Sequence, residues 1–371
     1  TTTVYASDSE AQETLLPADF AIAAKAGVLI DQINGTVLYE KNPHEKMPPA
    51  SITKIMTMLL VMEAIDGGKV KMEDMVTASA HASSMGGTQI WLKENEQMTV
   101  HDLMKACAVA SANDAAMALA EHIGGSEEGF VAMMNNKAIE LKMADTTFIN
   151  PTGLDAKGHL SSAYDIALMS KSLLAHKEIT AFTSIYMDSL RGGKTELVNT
   201  NKLVRFYKGC TGLKTGTTDG AGSCVSVSAT KENMGLISVV MGATTSKDRF
   251  NSAKQLLDYG FSNFAVYNTA ISNDTLKPVK VIGGVSATVD VESDKGSSII
   301  IKKGKSKDIV ENVTIVQDVE APVLKGQKLG EIKLSIDGEE IANFSVNAKT
   351  EVVQITMFNA FTRLFSRLAK M

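Results

Sequence analysis

The chain has 371 residues, 44% of them hydrophobic, yet it lacks any apolar run long enough to cross a bilayer. It is poor in cysteine. Cys107, Cys210 and Cys224 form no C-x-x-C pair and no zinc-type spacing, so they read as small buried hydrophobes. Cys210 and Cys224 flank one motif on what read as neighbouring strands, which leaves a disulfide between them open. The net charge is −5 and mixed in sign, so no basic surface points to nucleic acid as a partner. Six histidines show no H-E-x-x-H and no paired spacing, so no metal and no other cofactor is expected. There is no G-x-S-x-G elbow, which removes the α/β-hydrolase reading. Gly192-Gly193-Lys194-Thr195 imitates the end of a P-loop, but Asp188 stands where its first glycine is needed, so the phosphate cradle is incomplete.

Three short motifs are present in one order: Ser51-Ile52-Thr53-Lys54, Ser111-Ala112-Asn113 and Lys214-Thr215-Gly216. A serine hydroxyl is a weak nucleophile until a base takes its proton, and a neutral lysine three residues on in a helix shares its face. Two decoys carry similar spacings. Ser228 and Lys231 belong to an alternating stretch in which a strand would aim them at opposite faces, and Ser345 and Asn347 read as ordinary strand residues. Ser51 instead follows Met47-Pro48-Pro49-Ala50 and opens a run with Ile55, Met58, Leu59, Met62 and Ile65 at helical spacing. Its hydroxyl therefore sits at a helix N-terminus, where N–H groups and the positive dipole end favour developing negative charge.

Residues 27–40 alternate around Asn34-Gly35, a strong hairpin signal. Thr99 to Asp102 reads as a capping box opening a helix that stops near Ser111, and a second helix runs from Asp114 toward Gly124, so Ser111 and Asn113 fall on a connection. A further helix starts at Ser162 and ends near His176. Cys224–Thr230 and Leu236–Gly242 read as a hairpin preceded by the Lys214 strand, and a helix from Ser246 to Phe264 closes the domain. This order predicts an α+β fold over residues 1–272, an antiparallel sheet whose first hairpin joins its last three strands, with helix layers. Residues 273–350 change to short strands between glycine and charged turns, a small all-β second domain. There, Ser286–Val291 and Glu331–Ile336 alternate, while Ile299-Ile300-Ile301 reads as a strand buried on both faces.

The three motifs, with Asn150-Pro151-Thr152-Gly153-Leu154 and Gly212-Leu213-Lys214-Thr215-Gly216, resemble the low-molecular-mass penicillin-binding proteins, the serine D-alanyl-D-alanine carboxypeptidases. The resemblance covers nearly the whole chain. It implies that Ser51 attacks a peptidoglycan stem peptide at its penultimate D-alanine and is acylated by β-lactams in the same way. Lys54 would be the base, Ser111 the proton relay to the leaving amine, and Asn113 a holder of Lys54 or of the substrate amide. Lys214 would orient Ser111 and attract the terminal carboxylate. Thr215, Gly216 and Thr217 would receive the extended substrate, with Ser51 and Thr217 N–H groups forming the oxyanion hole. Arg249 would grip the carboxylate. Apart from the resemblance, Ser111 and Asn113 equally fit a helix-end cap, and Arg249 a solvated helix residue. A penicillin-sensing receptor and a serine β-lactamase are the alternatives. The first wants a signalling segment that is not visible, and the second a glutamate-activated water with no clear counterpart between Asn113 and Lys214.

In the tail, residues 351–371, Phe358, Phe361 and Phe365 share helical spacing with other apolar residues, and Arg363 and Arg367 lie among the polar positions. Such an amphipathic basic helix docks either on its own protein or at anionic membrane lipid, and similar carboxypeptidases carry an anchor at this end. The start, Thr1-Thr2-Thr3, fits removal of a signal peptide or an expression product. The resemblance places the protein outside the bacterial cytoplasmic membrane, peripherally anchored, with the β domain as spacer.

Overall fold

The structure, a computed structural model, describes residues 20–269, 271, 273–293 and 298–356. Its contacts divide the chain into two units, one through Ser262 and the other from Asn263.

The first unit is built on five antiparallel strands: β1 (Ala26–Asp31), β2 (Val37–Lys41), β3 (Cys210–Thr218), β4 (Gly222–Lys231) and β5 (Met234–Ala243). Their order is β2-β1-β5-β4-β3, so the first hairpin does join the last three strands. Val28 lies opposite Val239 and Ile30 opposite Ile237. The hairpin forms because the Asp31 carboxylate accepts from the Ile33 and Asn34 N–H groups at 3.1 and 2.7 Å, and Gly35 takes the left-handed conformation at φ 81°.

Six helices matter for the site: α1 (Lys54–Asp66), α2 (Val100–Lys105), α3 (Asn113–Gly124), α4 (Glu127–Glu140), α5 (Ala163–Ala175) and α6 (Ser246–Asn263). Thr99, Ser126 and Ser162 cap α2, α4 and α5 by accepting from the Asp102, Gly129 and Asp165 N–H groups. Helix α1 is apolar almost all round because it runs through the core, buried from Lys54 to Met62. On one face of the sheet, Val28, Ile30, Ile237 and Val239 join the core that contains α1 and α5. On the other, Leu29 and Leu236 meet Gly260 of α6. Strand β3 closes one edge of the sheet and brings Lys214, Gly216 and Thr217 to the start of α1.

The second unit is all-β. A four-stranded antiparallel sheet orders Val291–Ser293, Glu339–Ala348, Lys328–Ile336 and Ile309–Ile315. Three short strands, Thr288–Val289, Val279–Ile282 and Asp318–Glu320, form another sheet, and Phe264–Asn268 pairs with Ser298–Lys302 as a ribbon. Val281, Ile332, Leu334 and Val346 lie in its core.

Several expectations change here. The Ser286–Val291 stretch is not one strand: it breaks at Asp290 into pieces that join different sheets. Ile299 and Ile301 are buried but Ile300 only half so, because a two-stranded ribbon covers one face. The second unit begins before residue 273, since Phe264–Asn268 pairs within it. It also reaches past residue 350, since Val352 bridges to Val323 and Gln354 to Gly284. Phe358, Phe361, Arg363, Phe365 and Arg367 lie outside the described residues. Among the described residues no helix is long and apolar enough to cross a membrane. All three cysteines are free; Cys210 lies opposite Ala229 and Cys224 opposite Gly216, so the strand register holds the two apart.

Candidate active site

Ser51 sits in the 3-10 turn Ala50–Thr53 that leads directly into α1, and Lys54 is the first residue of the helix. That single turn brings the Lys54 Nζ to 3.0 Å from the Ser51 Oγ. The same nitrogen donates to the Asn113 Oδ1 and to the Thr152 carbonyl, each at 2.6 Å. Three acceptors match the three hydrogens of an ammonium. Burial nevertheless pulls Lys54 down to about 8, against the smaller opposing pull of Cys107 and Asp114.

Asn113 opens α3 and is held on both sides. Its Nδ2 donates to the Gly86 carbonyl at 2.7 Å and its backbone N–H to the Thr88 carbonyl at 2.7 Å, which fixes the Oδ1 toward Lys54. Ser111 precedes it after a wide π-type turn over Ala106–Ala110 and has φ 64°, a left-handed conformation uncommon for serine. It is buried, at 6% exposure.

Lys214 is fully buried in β3. Its Nζ donates to the Thr215 carbonyl at 3.2 Å, and no hydrogen bond links it to Ser111. The expected orientation of Ser111 by Lys214 is therefore not made in this arrangement; the ammonium turns to its own strand instead. Burial first, then the Lys54 and Arg249 charges, bring Lys214 down to about 7, with Cys107 opposing. Gly216 lies so close to the serine turn that an added Cβ would stand 3.0 Å from the Ser51 nitrogen and 2.8 Å from the Pro49 carbonyl. Only glycine lets strand and turn meet there. Thr215 donates to the Thr200 hydroxyl at 2.7 Å, and Thr217 to the Gly216 carbonyl at 2.8 Å. Arg249, from α6, is buried rather than solvated. Its Nη1 reaches the Gly216 carbonyl at 3.0 Å and the Thr217 hydroxyl at 2.8 Å, while its Nε is buried without a partner.

The sequence reading missed the loop that completes the site. The Asn150 Oδ1 accepts from the Thr152 and Gly153 N–H groups, and the Thr57 hydroxyl donates to the Pro151 carbonyl, locking this loop onto α1 and aiming the Thr152 carbonyl at Lys54. His159 braces the same loop. Its Nδ1 accepts from the Ile149 N–H at 3.0 Å, so its Nε2 carries the proton and donates to the Thr53 hydroxyl at 2.7 Å. Burial brings this imidazole down to about 4, which keeps it neutral. Asn150 to Leu154 stood out as a stretch, but a backbone acceptor has no letter of its own. The decoys separate cleanly: Ser228 is buried against the Thr211 hydroxyl, while Lys231 donates to Tyr207. Among the described residues no three His, Cys, Asp or Glu side chains gather to hold a metal ion.

A sheet with helix layers, with a serine, a lysine and an asparagine converging beside a lysine-bearing edge strand, defines a serine acyl-transferring hydrolase. The chain belongs to the D-alanyl-D-alanine carboxypeptidase family, whose model matches residues 10–245, and the C-terminal domain of penicillin-binding protein 5 matches residues 264–354. It is 47% identical over 338 residues to the D-alanyl-D-alanine carboxypeptidase DacF of Bacillus subtilis, covering 90% of this chain and 87% of that one. It is 36% identical to DacC of Escherichia coli, over 86% and 82% of the two chains. Penicillin-binding protein 5 of Haemophilus influenzae superposes with a TM-score of 0.80 at 33% identity, over 90% of this chain and 98% of that one. Penicillin-binding protein D2 of Listeria monocytogenes, in its cefotaxime-bound form, matches with a TM-score of 0.61 at 33% identity, over 66% of this chain and all of that one. The protein is a serine D-alanyl-D-alanine carboxypeptidase, a hydrolase of the penicillin-binding class.

Proposed function

We propose that Ser51 carries out this hydrolysis on peptidoglycan stem peptides through an acyl-enzyme, with Lys54 as its base. The carrying observation is the 3.0 Å contact between the Lys54 Nζ and the Ser51 Oγ. As a neutral amine, Lys54 takes the Ser51 proton while the Oγ bonds to the carbonyl carbon of the penultimate D-alanine. The negative oxygen of the tetrahedral intermediate lies between the N–H groups of Ser51 and Thr217. One such donor is worth about 3 kcal/mol of barrier. The carbon–nitrogen bond then breaks, and the leaving D-alanine amine takes a proton through Ser111. Water next attacks the ester, loses its proton to the same base, and releases Ser51.

Asn113 holds Lys54 on the line to Ser51 by accepting one of its hydrogens. The edge of β3 at Thr215–Thr217 receives the extended substrate as an added strand. Lys214 and Arg249 supply positive charge for its terminal carboxylate, and the unpartnered Nε of Arg249 leaves that guanidinium with donor capacity to spare. A β-lactam enters the same path with its ring carbonyl at the scissile position. The cefotaxime- and ampicillin-bound forms of the Listeria relative support this. The basic amphipathic tail, with Phe358, Phe361, Phe365, Arg363 and Arg367, anchors the exported protein to anionic lipid at the outer face of the cytoplasmic membrane.

The test is covalent labelling followed by mass spectrometry of the intact protein. Ser51→Ala abolishes the penicilloyl adduct and D-alanine release, whereas Ser228→Ala keeps both; an adduct that survives Ser51→Ala removes Ser51 as the nucleophile.

A further inference from the structure

Trp91 is the only tryptophan of the chain, and it is 75% exposed. Its backbone has φ 59°, a conformation that bulky residues rarely adopt. The cause is visible on either side. The Ile90 N–H points at both oxygens of the Asp114 carboxylate at 3.1 Å, and the Leu92 N–H donates to the same group at 2.9 Å. Arg191 holds the Ile90 carbonyl at 2.8 Å. Ile90, Leu92 and Asp114 are all buried. Two neighbouring residues pinned to one buried carboxylate force the residue between them outward, and an indole occupies that place.

This rim is joined to the reaction centre. Asp114 directly follows Asn113, whose Oδ1 touches Lys54 and whose Nδ2 and N–H hold Gly86 and Thr88 of the same rim. Gly87 stands against the Asn113 amide and near the half-exposed Leu154 of the opposite loop. Trp91 lies three residues past Thr88, so its backbone is within about 11 Å of the Asn113 contact. The ring is therefore held outward on the same rim that carries the Asn113 contacts. Backbone strain of this kind persists where the surroundings enforce it.

We propose that Trp91 is a specificity-determining contact for the stem-peptide residues that precede the terminal D-alanyl-D-alanine. The peptide's aliphatic groups pack on the indole face while β3 holds the scissile end. This rests on the placement of the acyl-transfer site at Ser51, and a readout independent of catalysis separates the two. In the Ser51→Ala protein Trp91 is the sole source of tryptophan emission. A pentapeptide ending in D-Ala-D-Ala shifts that emission, whereas an N-acetylated D-Ala-D-Ala dipeptide does not. In the active enzyme, Trp91→Ala lowers the ratio of kcat/KM for pentapeptide over dipeptide about tenfold, mainly through KM, and Trp91→Phe restores most of it. Equal losses on both substrates would make Trp91 only a support for Asn113 and overturn the proposal. So would unchanged emission with pentapeptide, or emission that shifts with protein concentration alone, which would place a second copy of the chain on the indole. If Ser51 proves not to be the nucleophile, the emission shift still reports the Trp91 contact by itself.

Discussion

Two buried lysines within one site cannot both hold a full charge without cost, and the hydrogen bonds say where the proton rests. Lys54 has three acceptors and Lys214 only one. Lys54 is drawn down to about 8 and Lys214 to about 7, chiefly by burial. With three acceptors against one, an ammonium is better satisfied on Lys54 than on Lys214. The sign for activity follows. A base with a depressed value is neutral above that value, so acylation of Ser51 by a penicillin gains about tenfold per pH unit below 7 and levels off near pH 9. Stopped-flow or mass-spectrometric acylation rates across pH 6–10 measure this. A flat profile would remove Lys54 as the base. Arrival of a substrate carboxylate beside Lys214 favours the ammonium there, and the repulsion between the two lysines then helps Lys54 shed its own proton.

At the scale of elements, the site is a meeting of four backbone segments that the sequence announces unequally. The convergence of Ser51, Lys54 and Asn113 was legible from those letters at those spacings. The hairpin at Asn34-Gly35 and the capped helices were legible from turn and cap residues. The π-type turn before Ser111 was not, because nothing in Ala106-Cys107-Ala108-Val109-Ala110 distinguishes it from ordinary helix. Nor was the split of the Ser286–Val291 stretch, because alternation is the same in one strand as in two. The contact between loop and turn was the hardest to foresee. Gly153 has φ 83°, and a Cβ built there would lie 1.9 Å from the Ala50 carbonyl oxygen and 2.9 Å from the Ser51 nitrogen. Gly158, in the same connection, has φ 85° with nothing within 4 Å. Gly158→Ala meets only the left-handed penalty, about 1 kcal/mol. Gly153→Ala adds a backbone clash, so it lowers stability by more than about 2 kcal/mol and displaces the Ser51 turn. Thermal unfolding alongside penicillin acylation checks both: equal effects of the two substitutions would mean that the loop does not press on the serine turn.

For the whole molecule, the division at Ser262 leaves the proposed chemistry within one unit. All residues placed around Ser51 lie in the first unit, and that unit has its own core on both faces of its sheet. A fragment ending at Ser262 is expected to fold and to be acylated by penicillin at a rate within about threefold of the full chain. The Listeria relative, whose whole chain aligns with 66% of this one, shows that a protein of this extent crystallises with a β-lactam bound. Where to cut the tail is decided by the β unit. Val352 and Gln354 bridge to Val323 and Gly284, and the Ile355 N–H donates to the Gly283 carbonyl at 2.7 Å. Removal from residue 350 would therefore strip these bridges as well as the basic tail, and loss of vesicle binding would then be ambiguous. A chain ending at Thr356 keeps every one of these contacts. It is expected to release D-alanine from a soluble pentapeptide as the full chain does, while losing sedimentation with anionic vesicles, and the full chain's own binding should weaken as salt rises. If the shortened chain still sediments with the vesicles, attachment lies elsewhere, and residues 357–371 dock on the protein instead.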